Sequence, residues 1–234
     1  MSLRSIYEEI DPATIDKWDH YIDIYAKRLA GGQQRPLKIL EIGVQGGGSL
    51  KMWRRYFGDQ AKIIGLDIDE RCRKLATEGF EIVIGSQADE ALLDHLIAQY
   101  GPFDVVIDDG SHVGSDQITS FKKLIPHTRY LYFVEDTHTS YWGRWQPLSQ
   151  GFIPFAKGLI DDLHMYFVLA NSPEVYGKKE WEKIAAGHDL GIRSRVRSIS
   201  FFDSMVVFEL GLIGAPLRHR RGAPPAQPDD RDGQ

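Results

Sequence analysis

The chain has 234 residues, 42% hydrophobic and 11% aromatic, enough for one substantial core but not for two equal domains. Its formal net charge of −5 argues against a nucleic-acid surface over most of the molecule, and no apolar run approaches the roughly 20 residues that cross a bilayer. The single cysteine, Cys72, can form neither an internal disulfide nor a cysteine-based metal site. With a charged, aromatic N-terminus unlike a signal peptide, this points to a cytoplasmic protein.

A helical N-terminal segment is predicted over about 11–30, started by Asp11 and Pro12 and stopped by Gly31-Gly32; residues 1–34 are grouped around it. Apolar runs LKILEIGV (37–44), KIIGLDID (62–69), EIVIG (81–85), FDVVIDDG (103–110) and RYLYFVED (129–136) predict five strands. Between them SLKMWRRYF, DERCRKLATEG, ADEALLDHLIAQY and GSDQITSFKKLI place apolar residues at helical spacing. A long helical stretch follows near 149–170. VRSISFFDS and MVVFELG then predict an antiparallel hairpin turning at Asp203-Ser204, and the arginines of RSRVRSIS (193–200) alternate as on the solvated face of a strand. Residues 215–234, rich in proline and charge, predict a disordered tail. This alternation of strands and helices over 35–214 is that of a doubly wound α/β domain with a mainly parallel sheet.

In such sheets ligands bind beyond the carboxyl ends of the strands, and four of those ends carry acids here. Strand one runs into Glu41-Ile42-Gly43-Val44-Gln45-Gly46-Gly47-Gly48-Ser49, where glycines let the backbone turn tightly and approach a ligand. That loop suits NAD, S-adenosylmethionine or simply a tight turn. Asp67 in LDID, at the terminus of strand two, lies at the distance in sequence where an acid accepts both ribose hydroxyls. Gly43 and Gly46 with Val44 and Gln45 between them depart from the dinucleotide pattern G-x-G-x-x-G and speak against NAD. Ser86 and Gln87 in GSQAD either hold an adenine edge or, for Ser86, cap the next helix. Asp108 is assigned to the cofactor side.

Asp109 closes strand four and Glu135-Asp136 closes strand five, so if those strands are neighbours three carboxylates converge. Such carboxylates repel unless one takes a proton or a cation joins them, and an all-oxygen set favours magnesium, manganese or calcium over zinc. His112, three residues past Asp109, is placed to act as a general base near neutrality. The alternative is that Asp109 and Ser111 cap a helix and His112 is an exposed loop residue. His138 ranks second as a base or as a substrate contact, and Tyr141, Trp142 and Trp145 offer faces on which a sugar ring can stack. Tyr21 and Tyr25, one helical turn apart, read as part of a buried face rather than as a cofactor lid.

Taken in order, EIGVQGGGS, GLDID, GSQAD, IDDGSH and VEDTHTSYW resemble the class I S-adenosylmethionine-dependent methyltransferases, and among them the metal-dependent sugar O-methyltransferases of the macrocin and mycinamicin type. The resemblance implies a seven-stranded Rossmann-like sheet, S-adenosylmethionine over strands one to four, and Mg2+ (or Mn2+) at the ends of strands four and five. It gives Asp109 and His112 the roles of ligand and base. With the sheet starting near residue 37, the expected acceptor is a sugar, short oligosaccharide or glycoside in an open cleft. A homodimer surface is expected on the apolar closing strands and the N-terminal helix, with no nucleic-acid partner and no stable membrane insertion. Competing readings are a metal-dependent methyltransferase of catechol-like phenols, an NAD-dependent oxidoreductase and a non-catalytic cofactor-binding protein.

Overall fold

The computed structural model describes residues 1–10, 15–144, 150–170, 178–187 and 191–214, with 216, 219, 221 and 222. Five strands, β1 (Lys38–Ile42), β2 (Lys62–Asp67), β3 (Glu81–Ile84), β4 (Phe103–Asp108) and β5 (Thr128–Val134), run parallel. A hairpin of β6 (Val196–Phe202) and β7 (Met205–Leu210) closes the sheet antiparallel to β5, in the order β3-β2-β1-β4-β5-β7-β6. Asp203 and Ser204 form the expected turn, with Ser204 at φ 61°. The strand order reverses between β1 and β4, which opens the crevice where ligands of such sheets sit.

Side-chain alternation on the strands divides the core in two. Ile39, Val105, Ile107 and Phe133 face α1 (Leu3–Glu9), α2 (Asp19–Arg28) and α3 (Gly48–Phe57), where Trp53 and Tyr25 are fully buried. Leu40, Ile42, Val106 and Val134 face α4 (Glu90–Tyr100), α5 (Gly114–Leu124) and α6 (Phe152–Gly158), centred on Phe121. Each fully buried large side chain contributes about 1.5–3 kcal/mol. Asp89 caps α4 by accepting from the amides of Ala91 and Leu92.

Three helical expectations are corrected. The N-terminal helix does not run from 11 to 30: α1 lies earlier, capped by Ser2, and α2 begins only at Asp19, because residues 15–18 are non-helical and Lys17 is turned into the interior. Positions 11–14, including Asp11 and Pro12, lie outside the described residues. DERCRKLATEG winds as a 3-10 helix over Glu70–Glu78. The stretch near 149–170 breaks into α6, α7 (Ile160–Leu163) and α8 (Met165–Ala170), with α6 and α7 closed by i→i+3 bonds at Leu159 and His164. A further helix, α9 (Lys178–Ala186), precedes β6. Of the tail predicted over 215–234, nearly all lies outside the described residues. Among the described residues no helix is long and apolar enough to cross a membrane.

Candidate active site

The register places Ile42, Asp108 and Val134 side by side, so the residues that follow them emerge together at the top of the sheet. Asp109 N–H donates to Ile42 O at 2.9 Å and Glu135 N–H to Asp108 O at 2.8 Å, extending the ladder one step beyond the strands. Because successive side chains point to opposite faces, Asp108 and Asp109 part company here. Asp108 turns down among α5 and the loop after β3, accepting from Ser120 Oγ at 2.6 Å and from Gln87 Nε2 at 3.0 and 3.1 Å. Burial pushes its carboxyl up to about 6, against the pull of Ser120 and Gln87. Asp108, expected on the cofactor side, uses its carboxylate to brace Gln87, whose Oε1 accepts from Ser111 N–H at 2.7 Å.

Asp109 faces the other way and meets a residue the sequence reading passed over. Lys17 Nζ lies 2.9 Å from Asp109 Oδ2, 2.7 Å from Glu135 Oε1 and 3.7 Å from Glu41 Oε1, with only 1% of its side chain exposed. Burial opposes the charge, but Asp109, Glu135 and Glu41 outweigh it and hold the ammonium well above the ordinary lysine range. The acids do not shift in the complementary sense. Burial pushes Glu41 up to about 7 and raises Glu135 and Asp109 as well, with Lys17 only partly opposing. One ammonium cannot neutralise three carboxylates, two of them buried, so the cluster holds an excess of negative charge that invites a proton or a second cation. Tyr25 donates its hydroxyl to the same Glu135 oxygen.

Glu135, expected beside Asp109 and Asp136 as a metal ligand, therefore has its carboxylate turned inward on Lys17 and Tyr25. The side chains whose donor atoms gather within 4.8 Å of one another are Asp109, His112 and Asp136. His112 Nε2 is 3.5 Å from Asp136 Oδ2. Both residues hold the left-handed backbone conformation, at φ 57° and 51°, which is uncommon for side chains other than glycine and costs energy that the surroundings must supply. Those surroundings are visible: Thr139 Oγ1 donates to His112 O at 2.9 Å, and Tyr21 Oη lies 2.8 Å from both Asp136 Oδ1 and Ser204 O. His138 Nδ1 pairs with Ser204 Oγ and its ring stands edge-on to Trp142 and Trp18. Trp142, Tyr141 and Trp18 are exposed. Trp145 lies outside the described residues.

Two cavities open over these groups and share Gln45 and Asp109. One, of about 240 Å3, runs over the ends of β1 to β4 past Gly43, Asp67, Ser86 and Gln87. The other, of about 420 Å3, is walled by Lys17, Trp18, Tyr21, His112, His138 and Trp142. Gly43 is at φ 83°, and a Cβ there would stand 2.0 Å from Asp109 O, so only glycine lets the two strand ends pack. Gln45, at φ 43°, and Gly47, at φ 81°, are the other left-handed positions of the loop; Gly46 is not one of them and is exposed. Asp67 Oδ2 accepts from the Val44 and Gln45 amides at 2.8 and 3.0 Å and so shapes the loop as well as lining the first cavity. Ser49 donates to Glu41 at 2.8 Å beneath the loop. Ser86 Oγ accepts from Ala88 N–H at 3.1 Å, while Asp89 takes the helix cap.

No known protein-family profile matches the chain. It is similar to 8-demethyl-8-alpha-L-rhamnosyl tetracenomycin-C 2'-O-methyltransferase of Streptomyces olivaceus, 37% identical over 164 residues that make up 64% of this chain and 43% of that protein. Demethylmacrocin O-methyltransferase of Streptomyces fradiae is 40% identical over 127 residues, 50% of this chain and 32% of its own length. Among solved structures, the MycE methyltransferase of the mycinamycin biosynthetic pathway, in complex with Mg, SAH and mycinamycin VI, superposes with a TM-score of 0.74 at 27% identity, covering 91% of this chain and 54% of that one. The chain thus spans about half the length of these proteins or less. Over that span it is similar to sugar O-methyltransferases of the macrocin and mycinamicin type, and its sheet has the fold of that solved methyltransferase.

Proposed function

We propose that the chain transfers a methyl group from S-adenosylmethionine to a hydroxyl of a sugar or glycoside, with His112 as general base and Mg2+ or Mn2+ at the acid cluster. The observation that carries this reading is the meeting of two cavities at Asp109, one over the glycine loop and one holding His112 and Asp136. A cofactor in the first and an acceptor in the second would touch at that point. The relatives' names, which specify rhamnosyl and macrocin acceptors, support a glycoside rather than a free phenol.

Asp109 and Asp136 are the residues that would hold the ion, with Glu135 behind them; carboxylate oxygens in a cluster with surplus negative charge fit a hard divalent cation. When bound, S-adenosylmethionine supplies the methyl group and the ion makes an acceptor hydroxyl more acidic. The chain's own part is alignment and proton transfer. Gly43, Asp67, Ser86 and Gln87 line the cofactor crevice, where Asp67 is the acceptor for the ribose hydroxyls; Glu41, Ser49 and Asp108 brace it from below, and Gly46 lies beside it on the exposed side of the loop. His112 Nε2 accepts the hydroxyl proton, and Asp136, 3.5 Å away, stabilises the imidazolium that results. Trp142 and Tyr141 offer apolar faces to a sugar ring beside His138.

Calorimetric titration with S-adenosylhomocysteine, with NAD as the comparison ligand, tests the class; binding of NAD alone would end this reading. Screening sugar glycosides against catechols, with magnesium or chelator, then tests acceptor and metal. His112→Ala is expected to lower turnover by about 10²–10⁴-fold while leaving S-adenosylhomocysteine affinity within about twofold. Turnover equal to wild type would remove His112 from the mechanism.

A further inference from the structure

Lys17 occupies the middle of the acid cluster, not its edge. Its ammonium contacts Asp109 and Glu135 directly and stands 3.7 Å from Glu41, and the side chain is buried. Asp109 is also one of the three residues whose donor atoms gather on the cavity side with His112 and Asp136. A divalent ion on that face would therefore share a carboxylate with an ammonium, two positive charges a few ångströms apart in a poorly solvated pocket where screening is weak.

We propose that Lys17 is the cluster's built-in cation and that it competes with a divalent ion for Asp109 and Glu135, so that the ion is taken up as Lys17 withdraws. The inference rests on the metal-dependent reading above but concerns this chain's own residue. Its geometry permits the exchange. Lys17 sits on the non-helical stretch just before α2 and lines the 420 Å3 cavity, where Asp16 and Asp19, the latter also paired with Arg4, present carboxylates to a lysine that has left the floor. A flexible four-carbon stem makes that move without unfolding a helix. Departure of Lys17 also removes one of the two donors on Glu135 Oε1 and leaves Tyr25 as the other, so the carboxylate gains a lone pair that a divalent ion can use. Lys17 thereby sets the metal affinity of the site as a positioning residue.

The test uses Mn2+ alone as the probe, on the whole chain, with binding read by electron paramagnetic resonance. Lys17→Met is expected to bind Mn2+ roughly tenfold more tightly than wild type or more, the scale on which one adjacent charge shifts an ionic equilibrium, and Lys17→Arg is expected to remain weak. A purely structural role for Lys17 would lower affinity in both variants. In parallel, wild-type protein is treated with an amine-acylating reagent and mapped by peptide mass spectrometry. Lys17 is expected to be protected without Mn2+ and labelled at saturating Mn2+; this arm decides the matter if Lys17→Met does not fold. Equal or weaker Mn2+ binding by a folded Lys17→Met, or continued protection of Lys17 at saturation, overturns the proposal. If Lys17→Met binds Mn2+ and wild type does not, the competition stands and the metal dependence of the native chain falls. If neither binds, both fall.

Discussion

Asp136 is held from three sides, and the reactive geometry depends on it. Its backbone is left-handed, its amide donates to Tyr21 Oη at 3.1 Å, and its carboxylate faces His112 through one oxygen and Tyr21 through the other. Tyr21 is fully buried, and burial pushes its phenol far above the ordinary range, so it serves as a neutral donor. Tyr21→Phe removes the donor shared by Asp136 and Ser204 and is expected to cost about 1–3 kcal/mol in urea unfolding, as for buried acceptors left unpaired. A wild-type midpoint would mean that water replaces the hydroxyl and that Tyr21 is not a strut. The sequence marked Tyr21 and Tyr25 as one buried face, and they are buried; it could not reveal that their hydroxyls reach Asp136 and Glu135, 115 and 110 residues away.

At the scale of elements, the glycine loop and the end of β4 are one unit. Gly43 N–H donates to Leu66 O at 2.8 Å, and the missing Cβ leaves room for Asp109 O. Gly43→Ala is expected to destabilise the fold by well over the 1–2 kcal/mol of a left-handed alanine, and to abolish S-adenosylhomocysteine binding, because backbone cannot yield as a flexible side chain can. Gly79→Ala is the control: φ is 87°, nothing lies within 4 Å of the added carbon, and only the conformational cost of about 1–2 kcal/mol is expected. Similar losses for both, by thermal unfolding, would show that the approach of Gly43 to Asp109 is immaterial. Helix α2 belongs to the same assembly. Arg28 pairs with Glu209 on β7 and donates to Ser200 Oγ on β6 at 2.8 Å, which docks the N-terminal unit on the sheet and carries Tyr21 to the site.

For the whole molecule, buried acids set the pH dependence of stability. Glu41 rises from an ordinary 4.5 to about 7 and Asp108 from 3.8 to about 6, chiefly by burial. Between the ordinary and the raised values the folded state binds more protons than the unfolded one, so stability falls as pH rises through that window. The thermal midpoint in chelator is expected to drop between pH 5 and pH 8, and Glu41→Gln to flatten the fall by at most about 3 kcal/mol. A midpoint that stays level or climbs over that range contradicts the account. By itself the sequence determined the sheet, because apolar runs of strand length alternate with helical periodicity and each registers burial locally. It also put Asp109, Glu135 and Asp136 at the ends of strands four and five with His112 just beyond, since strand ends in a parallel sheet converge by topology. Only the tertiary structure decided that Asp108 and Glu135 turn inward while Asp109 and Asp136 face the cavity. It alone, too, brought Lys17 from before α2 into the cluster and divided the expected N-terminal helix. A lone lysine in TIDKWDH carries no periodic or motif signal, and its role arises from charges distant in sequence that burial forces it to share.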